Sequence, residues 1–259
     1  MRVLLVGLGN MGRKYLQKLT EIGVSVVTCD IDPTKRVDGI PFYTDPEKVD
    51  VPVDRAIVAT DPLYHPYIAE YLLRRNIPVL LEKPPALSIG DWERIEGYRN
   101  LFVSEIESFS VCAEYFPEDA ESILIERFGR SAGYVSPLWD LAWHDLYLLQ
   151  KLPGDIQLKG LRRGEIWELE GTVGGVSFLL RVSWNSQTPR RRWFIKGKYH
   201  NTLLDFGEEK VYVDGRLMAH ERRDKLLLMT KLFLEEKLGD FTKKRARRNI
   251  ELLQELELK

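Results

Sequence analysis

The feature that most limits how this chain can fold is its opening, Arg2-Val3-Leu4-Leu5-Val6 running directly into Gly7-Leu8-Gly9-Asn10-Met11-Gly12. A short, uninterrupted apolar run with β-branched residues reads as a strand buried on both faces. The residues after it, from about Arg13 to Ile22, carry a helical pattern. Strand, glycine-spaced turn and helix in that order form the context in which G-x-G-x-x-G has structural meaning. Gly7 permits a tight turn off the strand. Gly9 lets the backbone approach a ligand with no side chain in the way, and Gly12 lets the helix pack close to the strand. The N–H groups around Asn10 and Met11 then sit at a helix N-terminus, where the dipole favours an anion such as a pyrophosphate.

The next apolar run, Val24 to Cys29, ends in Asp30. An acid at the end of the second strand can accept hydrogen bonds from the ribose diol of an adenosine. Its charge repels a 2′-phosphate, so NAD is favoured over NADP, while Lys35 and Arg36 keep NADP open. The alternation then continues. A turn-rich loop at Asp32-Pro33-Thr34-Lys35 leads to an extended piece at Pro41-Phe42-Tyr43 and a helical turn near Asp45-Pro46-Glu47. Strands follow at Arg55–Thr60, Val79–Glu82 and Leu101–Ser104, with helices at about His65–Arg75 and Ser88–Tyr98. Strands alternating with helices imply right-handed crossovers and a doubly wound parallel sheet. Ligands on such sheets lie beyond the carboxyl ends of the strands. Gly7–Gly12, Asp30, Thr60-Asp61 and Glu82-Lys83 all fall there.

The second half changes character. Helices are expected from Phe116 or Pro117 through Ile125 and from Pro137 through Leu152. Strand-like runs follow at Leu158–Arg162, Ile166–Gly171, Val176–Trp184, Trp193–Gly197, Asn201–Phe206 and Lys210–Val213. Their alternation, with turns at Gly174-Gly175 and Asp214-Gly215, suggests a mostly antiparallel open sheet in an α+β domain. Helices at about Arg223–Leu238 and Lys243–Leu258 close the chain. The expected division is a Rossmann domain over 1–107 and an α+β substrate and oligomerisation domain over 108–259.

Composition narrows the function. A formal net charge of −1 over 259 residues gives no global reason to bind nucleic acid or an anionic membrane. No apolar stretch approaches spanning length. Cys29 and Cys112, the only cysteines, make neither a disulfide framework nor a metal-ligand spacing, so a reduced, cytoplasmic setting and no metal are expected.

Three places carry candidate chemistry. Glu82-Lys83-Pro84 ends a strand beside the expected cofactor. Asp140 and His144, at i and i+4, share one helix face. His65 begins the helix after Thr60-Asp61. The plain alternatives are a solvated strand-end lysine, a surface helix pair and a polar helix-start residue. His200 and His220 read as surface residues.

With these residues in view, the chain resembles the glucose–fructose oxidoreductase/inositol dehydrogenase (Gfo/Idh/MocA) family over nearly its whole length. The resemblance rests on Gly7–Gly12, the strand from Val53-Asp54 to Thr60 with His65 downstream, and Leu81-Glu82-Lys83-Pro84. It continues through Asp140-x-x-x-His144-Asp145 and the stretch Arg191–Gly197. It implies an NAD(P)-dependent dehydrogenase or reductase that acts on the secondary alcohol or ketone of a sugar, polyol or sugar derivative. The family's motifs map onto Lys83, Asp140 and His144 as the catalytic set. Gly7, Gly9, Asn10, Met11, Gly12, Asp30, Thr60, Asp61, His65, Glu82 and Lys83 map onto cofactor binding. In that reading His144 takes the hydroxyl proton, Asp140 orients the ring or binds a substrate hydroxyl, and Lys83 stabilises the developing alkoxide. Family members usually associate through the open sheet, so a homodimer or homotetramer is expected.

The chain also departs from the family's pattern. The substrate half is short, Ala142 stands where glycine is common, and Tyr147 occupies a position where many members carry a second acid. Glu105-Ile106-Glu107 follows the strand at Val103-Ser104, and these two acids either favour a cationic substrate or face solvent. Arg190-Arg191-Arg192 either meet an anionic substrate group or pair with nearby acids. Two rivals remain: a cofactor-binding sensor without turnover, and a reductase of a non-sugar compound such as a tetrapyrrole or an imine.

Overall fold

A computed structural model describes residues 1–130, 133–239 and 241–257. The chain divides into two compact units. The first comprises Met1–Ser104 with Leu226–Glu251, and the second Glu105–Lys225 with the chain from Leu252 on. The sequence places a single cut at 107, whereas residues 226–251 return to the first unit. The reason lies in the contacts of helix α5 (Lys225–Leu234) and the segment after it. Arg55 Nε donates to the Leu234 carbonyl and its Nη2 lies 2.6 Å from Glu236. Phe233 meets Phe102 edge to face at 5.7 Å. The backbone N–H of Val103 also donates to Thr242 Oγ1, on helix α6 (Phe241–Glu257). Leu258, the expected end of that helix, lies outside the described residues.

The first unit is built on six parallel strands: β1 (Arg2–Val6), β2 (Ser25–Cys29), β3 (Phe42–Tyr43), β4 (Arg55–Val58), β5 (Val79–Leu81) and β6 (Leu101–Val103). Their order is β3-β2-β1-β4-β5-β6. The chain reverses direction across the sheet between β1 and β4, which opens a crevice at their carboxyl ends. The strands are buried almost throughout because helices cover both faces, as the unalternating apolar runs require. Helix α1 (Asn10–Ile22) ends at Gly23, which is left-handed at φ +82°. Helix α2 spans His65–Leu73, and α3 is a short Ile89–Glu93 capped by Ser88, where the sequence suggests a helix through Tyr98.

The second unit holds an eight-stranded sheet: β7 (Ala120–Phe128), β8 (Ile156–Arg162), β9 (Trp167–Val173), β10 (Val176–Ser183), β11 (Arg190–Gly197), β12 (Asn201–Asp205), β13 (Lys210–Val213) and β14 (Arg216–His220). The order is β14-β13-β12-β11-β7-β10-β9-β8, and only the β7–β10 pair is parallel. Gly174-Gly175 and Asp214-Gly215 have positive φ at both positions, as two-residue hairpin turns demand. The expected helix over 117–125 is instead β7, a central strand. Pro117-Glu118-Asp119 imitates a helix start. Ile123 and Ile125, however, are buried on one face, while Leu124 lies on the other. The expected helix over Pro137–Leu152 is a wide π-turn at Leu138–Ala142 followed by α4 (Trp143–Leu149). Such turns are rare and recur at functional sites.

Side chains on the outer face of this sheet form rows in register. Leu179, Leu124, Phe194, Leu203, Tyr212 and Leu217 succeed one another across six strands. Beside them runs an alternating charged row, Glu168, Arg181, Glu126, Arg192 and Asp205. Arg181 bonds Glu168 at 2.9 Å, and Arg192 bonds Asp205 at 2.7 Å. No helix among the described residues is long and apolar enough to cross a membrane.

Candidate active site

In the first unit the three glycines of the opening turn differ in what surrounds them. A Cβ on Gly7, which has φ +93°, would lie 2.5 Å from the Ala59 carbonyl oxygen. A Cβ on Gly12 would lie 1.8 Å from the Gly7 oxygen. Both glycines are thus required by the protein's own packing. A Cβ on Gly9 would meet nothing within 4 Å. Gly9 is also the N-cap of α1, and no side chain caps that helix end. Its bare backbone leaves the N–H groups of Asn10 and Met11 approachable, as a pyrophosphate would need.

Asp30 ends β2 at 6% exposure. Its Oδ2 accepts from the Leu8 N–H at 2.6 Å and its Oδ1 from the Asp32 N–H at 3.0 Å. Lys35 Nζ lies 3.1 Å from Oδ2 and 3.2 Å from Oδ1. The carboxylate that repels a 2′-phosphate in the sequence reading therefore carries a lysine directly upon it. Thr60 and Asp61 follow β4, and Asp61 caps the short helical turn Pro62–Tyr64 by accepting from the Leu63 N–H.

Glu82 and His65 turn inward. The Glu82 carboxylate accepts from the buried Tyr15 hydroxyl at 2.5 Å and from the Lys83 N–H at 3.1 Å. Burial, then the Glu82 charge, raises the Tyr15 pKa well above that of a free phenol, so this proton stays in place. His65 is 1% exposed, with Nδ1 2.8 Å from the Pro84 carbonyl and Nε2 3.1 Å from the Thr60 carbonyl. Burial lowers its pKa and favours the neutral ring. His65 thus braces the loops after β4 and β5, while Glu82 ties the end of β5 to α1 beside the half-buried Lys83. Lys83 itself precedes a cis proline at Pro84.

In the second unit, Asp140 lies on the π-turn and His144 on the first turn of α4. Asp140 Oδ2 accepts from Trp184 Nε1 at 2.9 Å. His144 Nδ1 lies 3.2 Å from the Tyr147 hydroxyl. Below them is a buried charge network that sequence patterns do not reveal. Arg127, 2% exposed, donates from Nε and Nη2 to the two oxygens of Asp145 at 2.6 and 3.1 Å. Its Nη1 lies 3.2 Å from Glu107. Glu107 also takes Arg191 at 3.2 Å and Lys225 at 2.7 Å, and Lys225 bridges on to Glu209 at 2.7 Å. Trp193 Nε1 completes the shell of Asp145 at 2.8 Å. Burial alone would raise the Glu107 pKa. The charges of Arg127, Lys225 and Arg191 outweigh it and bring the value down to about 2.

This network corrects one reading and decides another. Glu105 and Glu107 do not face solvent, being 3% and 1% exposed, and Glu107 already pairs with Arg127, Arg191 and Lys225. Arg190, Arg191 and Arg192 pair with Glu126, Glu107 and Asp205 respectively, the outcome in which the three arginines meet nearby acids. His200 and His220 are exposed, as expected. The i+4 spacing of Asp140 and His144 is the only legible sign of the site in this half; Arg127 and Trp184 look like ordinary strand residues.

The first unit is a doubly wound nucleotide-binding fold with a glycine cradle at its switch point. Residues 1–97 match the GFO_IDH_MocA family model, described as "Oxidoreductase family, NAD-binding Rossmann fold". No curated protein matches the sequence. Solved structures extend the likeness in fold to the whole chain. UDP-N-acetylglucosamine 3-dehydrogenase GnnA from Acidithiobacillus ferrooxidans matches with a TM-score of 0.86 at 19% identity, covering 100% of this chain and 97% of that one. A dehydrogenase (MviM) from Clostridium difficile matches at 0.84 and 17% identity, covering 100% and 99%. The WlbA dehydrogenase from Bordetella pertussis, in complex with NADH and UDP-GlcNAcA, matches at 0.80 and 14% identity, covering 97% and 94%.

Proposed function

We propose that this chain is an NAD-dependent oxidoreductase acting on a secondary alcohol, or the corresponding ketone, of a sugar, polyol or sugar derivative. The observation that carries the reading is the ring of strand ends in the first unit. Gly9 with its open flank, Asp30, Thr60 and Lys83 all follow the carboxyl ends of β1, β2, β4 and β5. The N–H groups of Asn10 and Met11 would hold the pyrophosphate and Asp30 the adenosine ribose. NAD, when bound, supplies the hydride acceptor. Lys83 from the first unit would meet the substrate oxygen, where its charge stabilises an alkoxide. In the second unit His144 and Asp140 would complete the catalytic set, acting on the substrate's hydroxyls. Glu82 and His65 would keep Lys83 in place rather than touch the cofactor.

Two further parts belong to this proposal. The apolar row from Leu179 to Leu217, with Phe194 38% and Leu217 52% exposed, suits association with a second copy. The buried, unbridged Cys29 and Cys112 suit a reducing cytoplasm.

The test is NADH fluorescence on binding, followed by absorbance at 340 nm across polyols, sugars and nucleotide sugars. Turnover lost in Lys83→Ala with NADH binding retained supports the proposal. Saturable binding with no turnover on any substrate, and a ligand response unchanged in Lys83→Ala, would favour a sensor. Activity that survives His144→Ala would favour a non-sugar reductase.

A further inference from the structure

The Asp30 carboxylate, 6% exposed, already meets three donor groups of the protein. A carboxylate offers roughly four lone-pair sites, two on each oxygen. On Oδ2 they are taken by the Leu8 N–H at 2.6 Å and the Lys35 ammonium at 3.1 Å. On Oδ1 they are taken by the Asp32 N–H at 3.0 Å and the same ammonium at 3.2 Å. A ribose diol brings two O–H donors that need these sites, so it enters only where a present donor leaves. The two N–H groups belong to the backbone of the glycine turn and of the turn after β2. Lys35 is the donor that can move, with its ammonium at the end of a flexible stem and its side chain 33% exposed. We propose that Lys35 is the specificity-determining residue at the adenosine end of the cofactor site, and that it lets this chain take NADP about as readily as NAD. The inference rests on the function proposed above, which puts a dinucleotide at Asp30.

The two cofactors ask different things of this pair. NAD needs the carboxylate itself, so Lys35 has to give up an ion pair with a buried charge, and that loss is subtracted from NAD affinity. NADP carries a 2′-phosphate in place of one hydroxyl. A bare carboxylate repels that group, but Asp30 with Lys35 upon it is a neutral pair. An ammonium has three N–H donors with which to meet a carboxylate and a phosphate together. Lys35 therefore stays for NADP and swings away for NAD. It swings from a fixed base, because it closes the helical turn Pro33–Lys35 and its N–H donates to the Asp32 carbonyl at 3.2 Å. Asp32 caps that turn by accepting from the Thr34 N–H at 2.9 Å and the Thr34 hydroxyl at 2.7 Å. The acid at the end of β2, which by itself favours NAD, is thus offset by a residue five positions further along.

The test is direct binding read by nicotinamide fluorescence. NADH and NADPH are each titrated into the wild type and into Lys35→Met, which keeps an apolar stem and removes the charge. The expected result is a wild-type Kd for NADPH within about tenfold of that for NADH. In Lys35→Met, NADPH affinity should fall at least about tenfold while NADH affinity does not fall. Wild-type NADPH binding more than about tenfold weaker than NADH binding overturns the inference. So does a variant in which NADPH affinity falls by less, or NADH affinity falls equally. The wild-type titrations decide the first point whether or not the variant folds. A chain that binds neither cofactor overturns the proposed function as well, whereas one that binds NADH alone leaves that function standing and overturns only the role of Lys35.

Discussion

The same methyl group, added at two glycines three residues apart, should have opposite consequences. At Gly12 the new Cβ would lie 1.8 Å from the Gly7 oxygen, a backbone atom that cannot rotate away. Overpacking costs about 1–3 kcal/mol, and an immovable neighbour places Gly12→Ala at the upper end. At ~2–4 °C per kcal/mol, a loss of about 3 kcal/mol lowers the melting temperature by about 6–12 °C. At Gly9 the Cβ meets nothing within 4 Å. Exchanging glycine for alanine at an N-cap costs about 1 kcal/mol at most, so Gly9→Ala should melt close to wild type. Its methyl would instead occupy the approach to the helix N-terminus. NADH affinity should fall at least about tenfold, equivalent to about 1.4 kcal/mol. Thermal melts and fluorescence titration with NADH read the two effects separately. Equal destabilisation by both variants, or undiminished NADH affinity in Gly9→Ala, would refute the assignment of Gly9 to a ligand.

Three other outcomes follow from the structure. The Glu107 pKa is lowered to about 2 from an unfolded value of 4.5, so its contribution is fully present above pH 4.5 and is lost as pH falls toward 2. That is worth about 3 kcal/mol, and urea unfolding of the wild type across this range should show a steeper loss than Glu107→Gln. Removing Lys35 exposes the bare Asp30 charge, so Lys35→Ala should shift the ratio of NAD to NADP affinity toward NAD, read by competitive titration; an unchanged ratio would mean the Lys35–Asp30 pair is not at the ribose. Phe194→Asp places a charge within the apolar row, and light scattering should show a smaller assembly than wild type with the melting temperature little changed.

What was legible in the sequence follows from how each element is stabilised. The first unit could be read because a parallel sheet covered on both faces needs unbroken apolar strands, and the residues proposed to hold a ligand sit at fixed places after them. The π-turn and β7 were not legible. Pro117-Glu118-Asp119 offers a helix start, and Ile123-Leu124-Ile125 fits either period until Leu124 is seen to belong to a row on the outer face. The supporting residues of the second unit were hidden for another reason. Arg127 meets Asp145 and Glu107 only because strand, helix and loop bring together residues far apart in sequence. Glu82 and His65, expected at the cofactor, also bond Tyr15, Pro84 and Thr60, contacts that no local sequence pattern signals.

The proposed function stands on a dinucleotide bound with its pyrophosphate at Gly9 and its nicotinamide at Lys83. A crystal structure of the chain with NADH tests this most directly. The expected result is the pyrophosphate against Gly9 and Lys83 Nζ beside the nicotinamide. A nicotinamide remote from Lys83, or a pyrophosphate bound away from Gly9, would contradict it.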